Sequence, residues 1–129
     1  MVLTLPHGEL TYGWKTPREL RLEEDDENYL PPGIEKILEL DELLVDDAFR
    51  NKGIGGLLVK WFFATPEAEE ADAFFLDVSP SYLEDEGLTE AEAELYLRHF
   101  YSKFGFKSKT PHSRMWVFKK PLPIEDYPL

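Results

Sequence analysis

The 129-residue chain contains no cysteine, which excludes disulfides, thiolate metal sites and a cysteine nucleophile. It has no apolar run near the roughly 20 residues that a membrane-spanning helix needs. Residues 1–15 lack a basic segment followed by an apolar one, so no secretory signal is read there. The expected location is the cytoplasm. Basic side chains are few, 14 Lys and Arg against 26 Asp and Glu, for a net charge of −12. That balance argues against nucleic acid or an anionic membrane surface as a partner. The three histidines, His7, His99 and His112, are too scattered to suggest a metal site. Aromatics are plentiful at 14%, and 43% hydrophobic content suits a packed domain. Residues 1–120 are read as one domain and the proline-punctuated residues 121–129 as an extended tail.

The charge is uneven. Residues 98–120 carry seven Lys and Arg and no acid, whereas residues 1–97 carry 24 of the 26 acids. An acidic body suits a cationic acceptor, and a basic segment suits a polyanion. Simple solubility accounts equally well for most of these charges.

Residues 9–14 and 18–24 read as short strands, the second because Leu20 and Leu22 alternate with Arg21 and Glu23. Thr16-Pro17 between them suits a turn. Residues 34–45 read as a longer strand. A helix follows over about 53–64, where Ile54, Leu57, Leu58, Trp61 and Phe62 form one apolar face. Thr65-Pro66 ends it. The apolar run from Ala73 to Val78 reads as a strand buried on both faces, parallel to the one before. An acidic loop, Glu84 to Gly87, comes next. Thr89-x-x-Glu92 is a capping box that opens a second helix, and Gly105 stops it. Residues 106–109 and 114–119 read as a closing antiparallel pair.

One segment carries chemistry. Arg50-Asn51-Lys52-Gly53-Ile54-Gly55-Gly56 lies between the strand ending at Val45 and the first helix. Unpaired N–H groups at a helix start bind anions, and glycines admit a close approach, so a phosphate or pyrophosphate is expected. The Walker pattern fails because Leu57 and Leu58 follow Gly56. The dinucleotide fingerprint fails because position 58 is leucine.

The turn Arg50-x-x-Gly53-x-Gly55 resembles the acyl-CoA signature of the GNAT N-acetyltransferase superfamily. Downstream, Phe100-Tyr101-Ser102-Lys103-Phe104-Gly105-Phe106 resembles that superfamily's aromatic-Tyr-x-x-x-Gly-Phe helix end. The resemblance covers roughly residues 34–120. It implies an α/β (α+β) fold, with a mixed, splayed sheet around a βαβ acyl-CoA-binding core and a C-terminal helix plus strand pair. It also implies an enzyme that transfers acetyl from acetyl-CoA directly to a primary amine: a small cation, a lysine side chain or a protein N-terminus. Leu43, Leu44 and Val45 would hold the pantetheine arm, with the Val45 N–H on the thioester carbonyl. Arg50, Asn51, Lys52, Gly53, Ile54, Gly55 and Gly56 would cradle the pyrophosphate. Tyr101 would be the general acid. Glu39 aligns with the family's strand base, and Asp41 lies on the same face, whereas Glu42 should point the other way.

Two departures accompany the match. Glu94 and Leu97 stand where the family often has asparagine and alanine, and an inward glutamate would repel phosphate. The part preceding the core strand is short beside the family's, which implies a reduced acceptor half: a homodimer or a partner chain completes it, the acceptor is large and binds an open groove, or transfer activity is lost. A non-catalytic acyl-CoA-binding or interaction module would share the same motifs, so that alternative stays open.

Overall fold

The computed structural model describes residues 1–79 and 87–129; residues 84–86 of the expected acidic loop fall outside that range. Five strands form one sheet in the order β1-β2-β3-β4-β5: Val2–Leu5, Gly8–Lys15, Ile37–Val45, Ala73–Leu76 and Met115–Phe118. The pair β3–β4 is parallel and the other pairs are antiparallel, the mixed sheet implied by the sequence motifs. Helices α2 (Ile54–Phe63) and α4 (Glu90–Ser102) cover one face, here called the α2 face. Leu58, Val59 and Phe62 of α2 are fully buried there, each worth on the order of 1.5–3 kcal/mol. Among the described residues no helix is long and apolar enough to cross a membrane.

The opposite face is covered by α1 (Pro17–Glu23), and its core includes Leu20, Tyr29, Phe75, Trp116 and Tyr127. The C-terminal segment folds back onto this face. Tyr127 is buried against Phe118, and the Tyr29 hydroxyl donates to the Leu129 carbonyl at 2.7 Å.

α1 replaces the strand expected over 18–24. The Thr16 hydroxyl accepts from the Glu19 N–H and the Glu19 carboxylate accepts from the Thr16 N–H, a complete capping box with Pro17 in the first turn. The apparent alternation was not a burial signal, because Leu20 is fully buried while Leu22 is 70% exposed. Thr65-Pro66 likewise ends α2 and also starts a short helix, α3 (Pro66–Glu70), capped by the Thr65 hydroxyl. Edge strand β1 was not anticipated; it joins β2 through a turn in which His7 adopts φ +68°. Of the closing pair, only β5 is a strand, and Lys107 meets Trp116 in a single bridge. Thr89 and Glu92 form the capping box expected of α4, and Gly105 takes φ +94° just beyond it.

Two features of β3 shape the site. Its pairing with β4 spans only Ile37–Glu39 against Ala73–Phe75, whereas its pairing with β2 continues to Val45. The sheet therefore opens between β3 and β4. A bulge also leaves Asp41 without a partner, since Leu40 lies opposite Tyr12 and Glu42 opposite Thr11. Leu38 and Leu40 precede the bulge and Leu43 follows it, yet all three sit in the α2-face core. Glu42 thus falls on the α1 face with Glu39, contrary to the strict alternation assumed from sequence.

Candidate active site

β3 ends at Val45, and the chain turns through a short 3-10 helix, Asp47–Phe49, before α2. The turn is built on left-handed backbone at Asn51 (φ +63°) and Gly53 (φ +83°). Gly53 is the N-cap of α2 and supplies no side chain to the helix start. The N–H groups of Ile54, Gly55 and Gly56 therefore have no partner from within the helix or from its cap. They sit at a cleft of about 190 Å³ lined by Val45, Arg50, Asn51, Gly53, Gly55 and Gly56, among others. A Cβ on Gly55 would stand 3.5 Å from Phe100 and 3.8 Å from Val45, filling part of that cleft.

The open edge of β3 borders the cleft. The Asp46 N–H donates to the His7 carbonyl at 2.9 Å, toward β2. Amides along an extended strand alternate in direction, so the Leu43 and Val45 N–H groups face the opposite edge, where β4 has diverged. Leu44 points its N–H toward β2, and its side chain lines a second cavity of about 230 Å³. Tyr101, Asp41, Glu42 and Asp77 line this second cavity too, and Leu43 and Leu97 line both. The splay thus lies between the glycine turn with its uncapped helix start on one side and a carboxylate-rich pocket on the other. Tyr101, in the wall of the second cavity, is buried and edge-on to Phe100 and Phe106.

Glu39 and Asp41 share the α1 face, as expected from sequence. Burial pushes the Glu39 carboxyl up to about 7; hydrogen bonding to Asp41 and the charge of Asp41 add to it. The Lys15 ammonium, 3.9 Å away, pulls the other way, and Asp77 raises it further. A carboxyl in that range is half ionised near neutral pH, the condition for accepting a proton.

The structure brings most of the expected residues together. Leu43, Val45, Arg50, Asn51, Gly53, Ile54, Gly55 and Gly56 line the cleft, and Asp41, Leu44 and Tyr101 line the adjoining cavity. Lys52, which is exposed, and Glu39, which is half-buried, line neither. Glu94 does not point into the cleft; it accepts from Arg98 Nε at 3.1 Å and lies 3.6 Å from His112. Sequence reasoning missed Phe49 and Tyr96, which line the cleft, the latter with its hydroxyl 3.4 Å from Asn51 Oδ1. Tyr96 could have been found, since it shares a helix face with Leu97 and Phe100. Asp77 and Arg114 were also missed, because single charges beside a strand carry no pattern.

Comparison with known proteins places this geometry. Residues 19–108 match the acetyltransferase (GNAT) domain, well over half of the chain. The chain belongs to the GNAT acetyltransferase family. No curated protein matches its sequence significantly. Among solved structures, the NatC complex bound to Gag peptide and CoA is similar at 14% identity and a TM-score of 0.54, over 91% of this chain and 62% of that one. Naa20 of Chaetomium thermophilum, in complex with a bisubstrate analogue, is similar at 17% identity and a TM-score of 0.51, over 90% and 61%. A mutant AtaT toxin bound to the C-terminus of antitoxin AtaR and acetyl-CoA gives 14% identity and a TM-score of 0.51, over 88% and 59%. These likenesses establish the fold. The chain spans about three fifths of the length of each of these structures.

Proposed function

We propose that this chain is an N-acetyltransferase that moves an acetyl group from acetyl-CoA directly to a primary amine. The observation that carries the reading is the pair of cavities that share Leu43 and Leu97, with Tyr101 in the wall of the second. CoA or acetyl-CoA in the NatC and AtaT structures supports the donor. In this reading the N–H groups of Ile54, Gly55 and Gly56 receive the pyrophosphate, with Arg50, Asn51, Lys52 and Gly53 shaping the turn. The pantetheine follows Leu43, Leu44 and Val45. The outward Val45 N–H meets the thioester carbonyl where negative charge develops.

The acceptor enters from the carboxylate-rich side. Its ammonium gives up a proton to Glu39, assisted by Asp41, and the free amine attacks the carbonyl carbon. The C–S bond breaks, Tyr101 donates its proton to the leaving thiolate, and the second proton of the attacking nitrogen returns to the Tyr101 phenolate through water, leaving a neutral amide. Proximity of amine and thioester supplies much of the rate. Magnitudes rank the acceptors. Moving a proton from a lysine ammonium, pKa about 10.4, to a carboxylate near 7 costs about 4–5 kcal/mol. From a peptide α-amine, pKa about 7.7–8.0, the cost is only about 1 kcal/mol. A peptide N-terminus is therefore the first acceptor to try.

The test is calorimetry with acetyl-CoA, followed by release of free CoA thiol against peptide α-amines, lysine-bearing peptides with a blocked N-terminus, and polyamines. Absence of donor binding refutes the reading. Binding without amine-dependent thiol release points instead to a non-catalytic acyl-CoA-binding module. With turnover, Tyr101→Phe lowers kcat roughly 10²-fold or more while leaving acetyl-CoA affinity unchanged. Unchanged turnover refutes the acid assignment.

A further inference from the structure

The α1 face beside the splay carries two charge clamps built from adjacent residues. Glu23, the last residue of α1, pairs with Lys15 at 3.0 Å, and Lys15 reaches Glu39 at 3.9 Å and Glu19 at 4.0 Å. Glu24, the next residue, pairs with Arg114 at 3.3 Å. Arg114 in turn grips Asp77 at two points, Nε to Oδ1 at 3.0 Å and Nη2 to Oδ2 at 3.1 Å. The Arg114 side chain is only 10% exposed, with its guanidinium 4.6 Å from the Phe75 ring centroid and 5.9 Å from that of Tyr29. A two-point grip on a carboxylate fixes both its position and its direction.

Asp77 follows β4 and lines the same cavity as Tyr101 and Asp41. We propose that Arg114 is a positioning residue for acyl transfer: its two-point ion pair holds Asp77 in the wall of the acceptor-side cavity and limits how strongly that carboxylate's charge acts on Glu39. The inference rests on the reading of Glu39 as the base. Without Arg114, Asp77 is an unneutralised anion free to swing toward Glu39. In the intact chain the charged groups acting on Glu39 are Lys15 from β2, Asp41 from β3 and Asp77 beyond β4. Glu19 and Glu23 of α1 act through Lys15, and Glu24 acts through Arg114. Arg114 touches neither the donor cleft nor the second cavity, so its effect falls on the proton and not on acetyl-CoA.

The test is the Glu39 titration, followed by carboxyl carbon NMR in the full chain beside the pH profile of amine-dependent thiol release. Arg114→Gln raises the Glu39 midpoint by roughly half to one pH unit, the scale on which one nearby charge moves a carboxyl. The rising limb of kcat/KM shifts with it, and acetyl-CoA affinity stays unchanged. Arg114→Lys keeps the charge without the fork and returns most of the midpoint. Asp77→Asn lowers the midpoint, and it decides the question if Arg114→Gln does not fold. A Glu39 midpoint unmoved in folded Arg114→Gln, or in Asp77→Asn, overturns the inference. A midpoint that moves while the rate limb stays put upholds the clamp and refutes Glu39 as the base.

Discussion

Replacing Glu39 with glutamine separates the cost of the raised carboxyl from its use. Glutamine mimics the protonated acid, keeping its size and a donor toward Asp41. In the folded chain the Glu39 carboxyl titrates near 7, against an ordinary 4.5 when unfolded. Below 4.5 both states are protonated and the group costs nothing. Between 4.5 and 7 the unfolded chain sheds the proton while the folded chain holds it, so stability falls as pH rises. Above 7 the loss is complete. At about 1.36 kcal/mol per pH unit, it reaches about 3 kcal/mol, and about half of that once solvent screening at the exposed edge is allowed for. Glu39→Gln should therefore match the parent at pH 4.5 and exceed it by about 1.5–3 kcal/mol at pH 8. Urea melts at half-unit pH steps measure this. If both proteins lose stability equally between pH 5 and 7, the buried-carboxyl account is wrong. The same variant should lose amine-dependent thiol release roughly 10²-fold or more. A protein that gains stability while losing turnover is the signature expected of a strained functional group.

Other outcomes rest on local geometry. Gly53→Ala places a Cβ on a left-handed N-cap, costing about 1–2 kcal/mol and weakening acetyl-CoA binding, which calorimetry reads. Thr16→Ala removes the α1 cap and lowers the free energy of unfolding by about 1 kcal/mol, with acetyl-CoA affinity unchanged.

The parts of the fold that the sequence disclosed are those where local chemistry and tertiary demand agree. Gly53 before an apolar helix face, the Thr89–Glu92 box and the Phe75-centred apolar run each have one physical solution. Residues 18–24 misled because two leucines alternating with charges satisfy a strand pattern, while the decisive Thr16–Glu19 cap lies upstream. On the candidate site, the cleft proposed for the donor was legible because backbone turns leave glycines in the sequence. The cavity proposed for the acceptor was legible only in part. Glu39 and Asp41 are close in sequence, but Asp77 and Arg114 are brought to them by the pairing of β4 with β3 and β5. The direction of Glu42 was lost because a bulge is a relation between two strands and leaves no mark on one.

That bulge has an unusual mutational consequence. Removing one residue from a central strand ordinarily turns every later side chain to the wrong face. In β3 the surplus residue is Asp41 itself. Its deletion would leave Leu40 opposite Tyr12 and Glu42 opposite Thr11, with Leu43 and Val45 still directed at the donor cleft. The strand can thus shed one carboxylate and its extra twist without losing its pairing. A shortened chain of this kind should keep its hold on the donor while its dealings with the amine change, so the two halves of the site are separable by a single codon.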